Sequence, residues 1–185
     1  MSLPDRHDPG ILAQVTREPP YAESPGRVRP FTEADVDEVL ALNQLEVDKL
    51  APMDESLLHR IRDVADRVDV VELDGGFAGF VITVGPGTDY WSDNYRWYTE
   101  RFGDRFYYLD RVVLHERTRG SGLGRQLYDG LEAHAAPYGR LALEVNAQPP
   151  NPGSMAFHLG RGYQPVDERE LDPEHRVAML VKELR

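Results

Sequence analysis

The 185-residue chain contains no cysteine. That excludes disulfides, thiolate metal ligands and any covalent route through an enzyme thiol. No apolar run approaches the ~18 residues that a membrane span needs, and the amino terminus lacks the apolar core of a signal peptide. No Asn-x-Ser/Thr sequon occurs. Positive charge is in deficit: the formal net charge is −11, which argues against nucleic acid or an anionic membrane as the main partner. There is no Gly-x-Ser-x-Gly elbow and no His-Glu-x-x-His, and the six histidines are scattered without metal-ligand spacing. No internal repeat is visible. Together these absences lead us to expect a cytoplasmic protein without a metal.

What is present describes one globular domain with a core of normal size. Residues 1–26 are rich in Pro, Gly, Asp and Glu and lack periodicity, so they are expected to form a flexible arm before a domain spanning 27–185. Val28 to Phe31 reads as a short edge strand. Thr32, with Asp35 three residues on, opens a helix bearing Val36, Leu40, Asn43 and Val47 at helical spacing, which Pro52 ends. Asp54 caps a second helix. Val68 to Leu73 and Phe77 to Val84, joined by Asp74-Gly75-Gly76, form a hairpin.

Residues 88–105 concentrate aromatic side chains, read either as a short helix capping the core edge or as the wall of a ligand pocket. The remaining order is strand, glycine turn, helix (Leu123, Leu127, Leu131), strand (Leu141 to Asn146), short helix from Asn151 and two closing strands. The fold class expected is α/β (α+β mixed): a central, mostly antiparallel mixed sheet of six to seven strands with about four helices on both faces.

The most informative stretch is Leu109 to Tyr128. An apolar strand empties through Arg119-Gly120-Ser121-Gly122-Leu123-Gly124-Arg125 into an amphipathic helix. Unpaired amides and the positive helix end make that turn a phosphate site. Two known phosphate motifs fail there. A P-loop needs Lys and Ser/Thr after its last glycine, where this chain has Arg125-Gln126. A dinucleotide fingerprint lacks its third glycine and would belong to the first strand–helix turn.

What remains, Arg-x-x-Gly-x-Gly from Arg119 to Gly124, resembles the acetyl-CoA-binding motif of the GNAT superfamily of acyltransferases. Downstream, Asn151-x-x-Ser154-x-x-Phe157-His158-x-x-x-Gly162-Tyr163 resembles that superfamily's Asn-x-x-Ala-x-x-hydrophobic-Tyr-x-x-x-Gly-Phe segment. Element order matches over residues 27–184. Asn94-Tyr95-Arg96-Trp97 before Tyr108-Leu109-Asp110-Arg111, and the run Glu144-Val145-Asn146 to Pro152, look like a distinct subgroup of predicted acetyltransferases.

The resemblance implies acetyl-CoA as cofactor. Its pyrophosphate would lie on amides of Arg119, Gly120, Ser121, Gly122, Leu123, Gly124 and Arg125. The pantetheine arm would lie along Val112, Val113 and Leu114, where a backbone N–H faces the thioester carbonyl. Asn151, Ser154 and Phe157 would complete the cofactor site. His158 stands where relatives have a tyrosine that protonates the departing thiolate; an imidazole can do the same. For the base, Asp110 is read on the same strand face as Val112 and Leu114, and Glu144 on a face with Asn146; each could equally serve an ion pair with Arg111 or Arg140. Asn43, Glu46, Tyr95, Trp97 and Asn146 are the candidate substrate contacts.

The expected reaction is direct attack of a small-molecule primary amine on the thioester. Two alternatives are a non-catalytic acyl-CoA sensor and a protein or peptide amino-terminal acetyltransferase. A homodimer is one admissible assembly.

Overall fold

The computed structural model describes residues 26–185. The arm expected over residues 1–26 falls outside them, apart from Gly26, which opens the first strand. Among the described residues, seven strands form one sheet: β1 Gly26–Pro30, β2 Arg67–Leu73, β3 Gly76–Val84, β4 Tyr107–Leu114, β5 Arg140–Gln148, β6 Gln164–Asp172 and β7 His175–Glu183, in the spatial order β1-β2-β3-β4-β5-β7-β6. All neighbours are antiparallel except β4 and β5. Five α-helices among the described residues cover it: α1 Val36–Leu45, α2 Glu55–Val64, α3 Asp93–Phe102, α4 Leu123–Ala135 and α5 Pro152–Gly160. No helix among the described residues is long and apolar enough to cross a membrane.

Local chemistry accounts for most boundaries. Thr32 donates its N–H and its hydroxyl to the Asp35 carboxylate at 2.8 Å, closing a capping box ahead of α1. Asp54 accepts the Leu57 N–H at 2.7 Å and starts α2. Asp74 and Gly75, both at positive φ, make the two-residue turn of the β2–β3 hairpin.

Two details of the first helix differ from expectation. It ends at Leu45, well before Pro52, so Val47 lies outside it. Its buried stripe is Val36, Val39, Leu42 and Asn43, with Leu40 only partly buried.

Two apolar layers sandwich the sheet. One holds α1, α2 and α3 against Phe80, Ile82, Tyr108 and Val113. The other holds the Leu123, Leu127 and Leu131 stripe of α4 against Leu109, Leu141, Leu143 and Val145. The aromatic segment 88–105 serves the first layer: Tyr90, Tyr95 and Tyr98 are buried there, Tyr90 edge-on to Tyr95, and Tyr95 and Tyr98 against Phe106 and Tyr108.

Candidate active site

β4 and β5 are paired only at their starts, Tyr107 with Leu141 and Tyr108 with Ala142. Beyond that point the strands part, and the backbone edges from Leu109 onward and Leu143 onward face each other without a ladder. A cleft of about 510 Å³ occupies this gap. A strand edge without a neighbour needs other partners for its polar groups. One is supplied internally: the Asn151 N–H donates to Asn146 O at 3.0 Å.

A bulge sets which side chains enter the gap. Along the β3–β4 ladder, Ile82 opposes Arg111 but Thr83 already opposes Leu109, so Asp110 is the extra residue. The bulge breaks the alternation on which the sequence reading rested. Asp110 therefore does not share the face of Val112 and Leu114, which pack toward α4. It turns toward Arg111 and Tyr90 on the α1–α3 side.

Three buried groups meet at the floor of the cleft. The Arg111 guanidinium donates to Asn43 Oδ1 at 2.8 Å and Ala51 O at 2.7 Å, and its Nε lies 3.4 Å from the Asp110 carboxylate. The Tyr90 hydroxyl also bonds to Asp110. Burial pushes the Asp110 carboxyl upward, and the neighbouring guanidinium opposes that shift.

Among the described residues, no cation contacts Glu144. Its carboxylate accepts from the Tyr108 hydroxyl at 2.8 and 2.9 Å and from Asn94 Nδ2 at 2.9 Å, and Asn94 in turn accepts from Arg169 at 2.7 Å. Burial and the nearby negative Asp110 push Glu144 up to about 7. A carboxylate poised there can take a proton near neutrality. Arg140, considered as its partner from sequence, instead pairs with Glu183 at 2.8 Å.

The glycine turn lies at the outer end of the cleft. Gly120 and Gly122 both adopt positive φ, +79° and +84°, a conformation open to glycine and costly for other residues. The first helical bond of α4 runs from Gln126 N–H to Gly122 O at 3.1 Å, so the amides of Gly124 and Arg125 precede the ladder and point outward. The Leu123 amide is taken by Ser121 Oγ at 3.2 Å, and the Leu123 side chain is in the core. Arg119 lines the cleft, held 3.0 Å from Glu116.

The gap and the turn together fit the cofactor implied by the sequence. Two unpaired strand edges can admit an amide-bearing arm as a half-strand, and the amides at the start of α4 can receive phosphate.

Of the remaining expected residues, Val112, Val113, Leu114, Asn146, Asn151 and Ser154 line the cleft. Asn151 caps α5, its Oδ1 accepting the Ser154 N–H at 3.2 Å. Glu46 lies at the cleft rim beside Lys49. Arg125 is exposed on the first turn of α4. His158 is 4 % exposed, and its imidazole accepts the Tyr128 hydroxyl at Nε2, 2.7 Å away.

Four residues are placed differently from expectation. Asn43 is fully buried and orients Arg111 instead of facing the cleft. Tyr95 is a core residue whose hydroxyl donates to Gly85 O at 2.7 Å, because the α3 cap at Ser92 turns that side chain inward. Trp97 packs on Tyr98 and Phe102, away from the cleft. Phe157 lies outside the cleft lining, with its ring edge-on to Tyr128.

Sequence reasoning assigns no cleft role to Asn94, Tyr108, Tyr128 or, beyond an ion pair with Asp110, to Arg111, all of which line the cleft or bond into it; Tyr90 and Trp91 belong to the pocket-wall reading of residues 88–105. The conjunction of Asn94 with Tyr108 to Arg111 in one subgroup pattern carried a trace of this. Nothing local marks Tyr128, which sits one position round the helix from the leucine stripe.

Comparison with known proteins gives a consistent result. A family model described as "Acetyltransferase (GNAT) family" matches residues 34–163. No curated protein shows significant sequence similarity. Among solved structures, Ard1 from Thermoplasma volcanium superposes with a TM-score of 0.68 at 16 % identity, over 87 % of this chain and 99 % of its own. A ribosomal-protein-alanine N-acetyltransferase from Brucella melitensis gives 0.58 at 23 % identity, over 85 % and 99 %. A family member from Elizabethkingia anophelis, solved with acetyl-CoA bound, gives 0.60 at 14 % identity, over 86 % and 99 %. At these identities the structural likeness establishes the fold.

Proposed function

Because the chain belongs to the acetyltransferase (GNAT) family, we propose that it transfers acetyl to the primary amine of a small molecule, with Glu144 as the base. Membership makes it an acetyl-CoA-dependent acetyltransferase; the acceptor and the residue roles are our reading. Acetyl-CoA supplies the activated acyl group. The amides of Gly124 and Arg125 and the Gly120 to Gly122 turn would hold its pyrophosphate, and the β4 edge from Val112 to Leu114 its pantetheine arm.

The observation that carries the assignment is the state of Glu144. It is buried at the cleft floor, bonded to two neutral donors, uncompensated by a cation, and pushed up to about 7. Substrate ammonium must lose a proton before its nitrogen can attack a thioester. A carboxylate near 7 accepts that proton at neutral pH, and the buried setting raises its affinity for it. Asp110, tied to Arg111, acts by its charge: it keeps Glu144 basic and adds negative potential that favours a cationic amine.

A small acceptor suits the space. The cleft of about 510 Å³ must take both the pantetheine end and the acceptor, with Tyr90 and Trp91 forming part of its wall. Two proteins of this fold are named as ribosomal-protein-alanine N-acetyltransferases, so a peptide amino terminus is the competing acceptor. Thiol release from acetyl-CoA, followed across a panel of small primary amines and short peptides, separates them. Turnover with small amines and at most a tenth of that rate with peptides is expected. Turnover confined to peptides would overturn the reading.

A further inference from the structure

An asparagine side chain has two ends of opposite character: Oδ1 accepts and Nδ2 donates. Asn94, in the first turn of α3 and 8 % exposed, stands between two groups that fix which end faces which. Arg169 Nη1 on β6 donates to Oδ1 at 2.7 Å, and a guanidinium carries no acceptor. Nδ2 is thereby turned to Glu144 Oε1, 2.9 Å away, and an ionised carboxylate carries no donor. A flipped amide would lose both contacts.

We propose that Arg169 is a positioning residue for acetyl transfer: through Asn94 it holds Glu144 with Oε1 occupied and Oε2 left to take the proton of the amine. This rests on the reading of Glu144 as the base. In that step an N–H bond of the ammonium breaks and an O–H bond forms at Oε2.

The hydrogen bonds at the carboxylate are unequal. Oε1 accepts from Asn94 Nδ2 and from the Tyr108 hydroxyl at 2.8 Å, whereas Oε2 has only the second branch of that same hydroxyl, at 2.9 Å. One phenolic hydrogen serves both oxygens, so the spare acceptor capacity is concentrated on Oε2. Without the amide the two oxygens would be nearly equivalent, and the carboxylate could swing about its phenol.

β6 reaches this point across β7, which separates it from β5. Its register is regular over three residues: Glu168 opposes Ala178, Arg169 opposes Val177 and Glu170 opposes Arg176. Val177 belongs to the layer under α1, α2 and α3, and Ala178 to the α4 layer. Alternation therefore sends Arg169 over β7 toward α3 and its two acidic neighbours to the opposite face, where Glu168 pairs with Arg176 at 3.3 Å.

The guanidinium is kept one amide away from the carboxylate. Direct contact would tie up the base, as Arg111 does to Asp110; a relay orients it and leaves an oxygen open. The other groups around Glu144 are Tyr108 and Asp110 on β4, Arg111 and Tyr90 bonded to Asp110, and Tyr98 on α3, whose hydroxyl is spent on backbone carbonyls. Its register partner on β7, Met179, is uncharged. Asp110 raises the proton affinity of Glu144, and Asn94 and Arg169 oppose it. Losing Arg169 removes a positive charge and frees the amide to turn its oxygen to the protonated carboxyl. Both changes hold the proton on Glu144 more tightly.

The test is the pH–rate profile of thiol release for wild type, Arg169→Met, Arg169→Lys, Asn94→Ala and the double variant, with calorimetric acetyl-CoA affinity as the control. Arg169→Met is expected to lower kcat at neutral pH about tenfold, to leave the amine KM and acetyl-CoA affinity within about twofold, and to move the break to higher pH. Arg169→Lys, which returns a charged donor, should recover most of the rate and the wild-type break. Adding Arg169→Met to Asn94→Ala should change kcat less than about twofold, because the effect runs through the amide. A wild-type break in Arg169→Met, even beside a lower melting temperature, would overturn the proposal and leave Arg169 a structural residue. So would a further loss of about tenfold in the double variant. Should Asn94→Ala not fold, the contrast between Arg169→Met and Arg169→Lys decides alone. If Glu144→Gln keeps the wild-type profile, the base reading falls and this one with it; a break that depends on Glu144 and not on Arg169 sinks this inference only.

Discussion

Glu144 and Asp110 show how two carboxylates in one cleft are given different tasks by their neighbours. Asp110 lies 3.4 Å from a guanidinium; Glu144 has a phenol, an amide and no cation. The second arrangement leaves the proton affinity high, and it carries a cost in stability. The unfolded value is 4.5 and the folded value about 7, so between them the native state holds a proton that the unfolded chain has lost. Stability therefore falls as pH rises through that window, and the loss is complete above 7. Glu144→Gln removes the titration. It should lower turnover on the order of a hundredfold with acetyl-CoA affinity unchanged. It should also unfold at a higher temperature than wild type at pH 8, the gain being on the order of 1–3 kcal/mol, and lose that advantage at pH 4.5. Thermal unfolding at the two pH values checks both signs. A variant destabilised at pH 8 would mean that the carboxylate is held for structure.

Among the elements, α3 turns out to be the support of the cleft. Its aromatic residues fill the core, and the Tyr98 hydroxyl is shared between Leu143 O on β5 and Leu180 O on β7, at 2.5 and 3.1 Å. Leu143 and Leu180 are register partners, so both carbonyls lie in the seam between β5 and β7 and Tyr98 ties α3 to the two strands beside the gap; burial strongly disfavours its ionised form. Tyr98→Phe should cost about 0.5–1.5 kcal/mol, measured by urea unfolding, because a buried hydrogen bond is lost. A loss within about 0.3 kcal/mol would show that water replaces the phenol. Of the two sequence readings of residues 88–105, the core helix describes α3 itself, while Tyr90 and Trp91 just before it supply the pocket wall. Both functions are present, divided at the Ser92 cap.

At the scale of the whole molecule, one sheet is pulled open at β4 and β5, with the glycine turn at one end of the gap and the carboxylates at its floor. The parts legible in the sequence are those that local spacing determines. The turn from Arg119 to Arg125 depends on glycines where φ is positive, and the α4 stripe on leucines four apart. The β5 alternation holds because that strand is regular through Val145. The bulge at Asp110 was illegible, since it is a property of the β3–β4 register and reverses the face assigned to every side chain after it. The cleft roles of Asn94 and Arg111 were illegible for a related reason: each bonds a partner about 50 to 70 residues away.

The central claim is that a base near neutrality, housed in this gap, activates a small amine toward acetyl-CoA. The most direct test is the pH dependence of thiol release with the best amine found, for wild type beside Glu144→Gln. The predicted result is a rate that climbs with pH and breaks at about 7, with the break absent from the variant. A wild-type profile without that break, or a Glu144→Gln enzyme that keeps both the break and the full rate, would contradict the account.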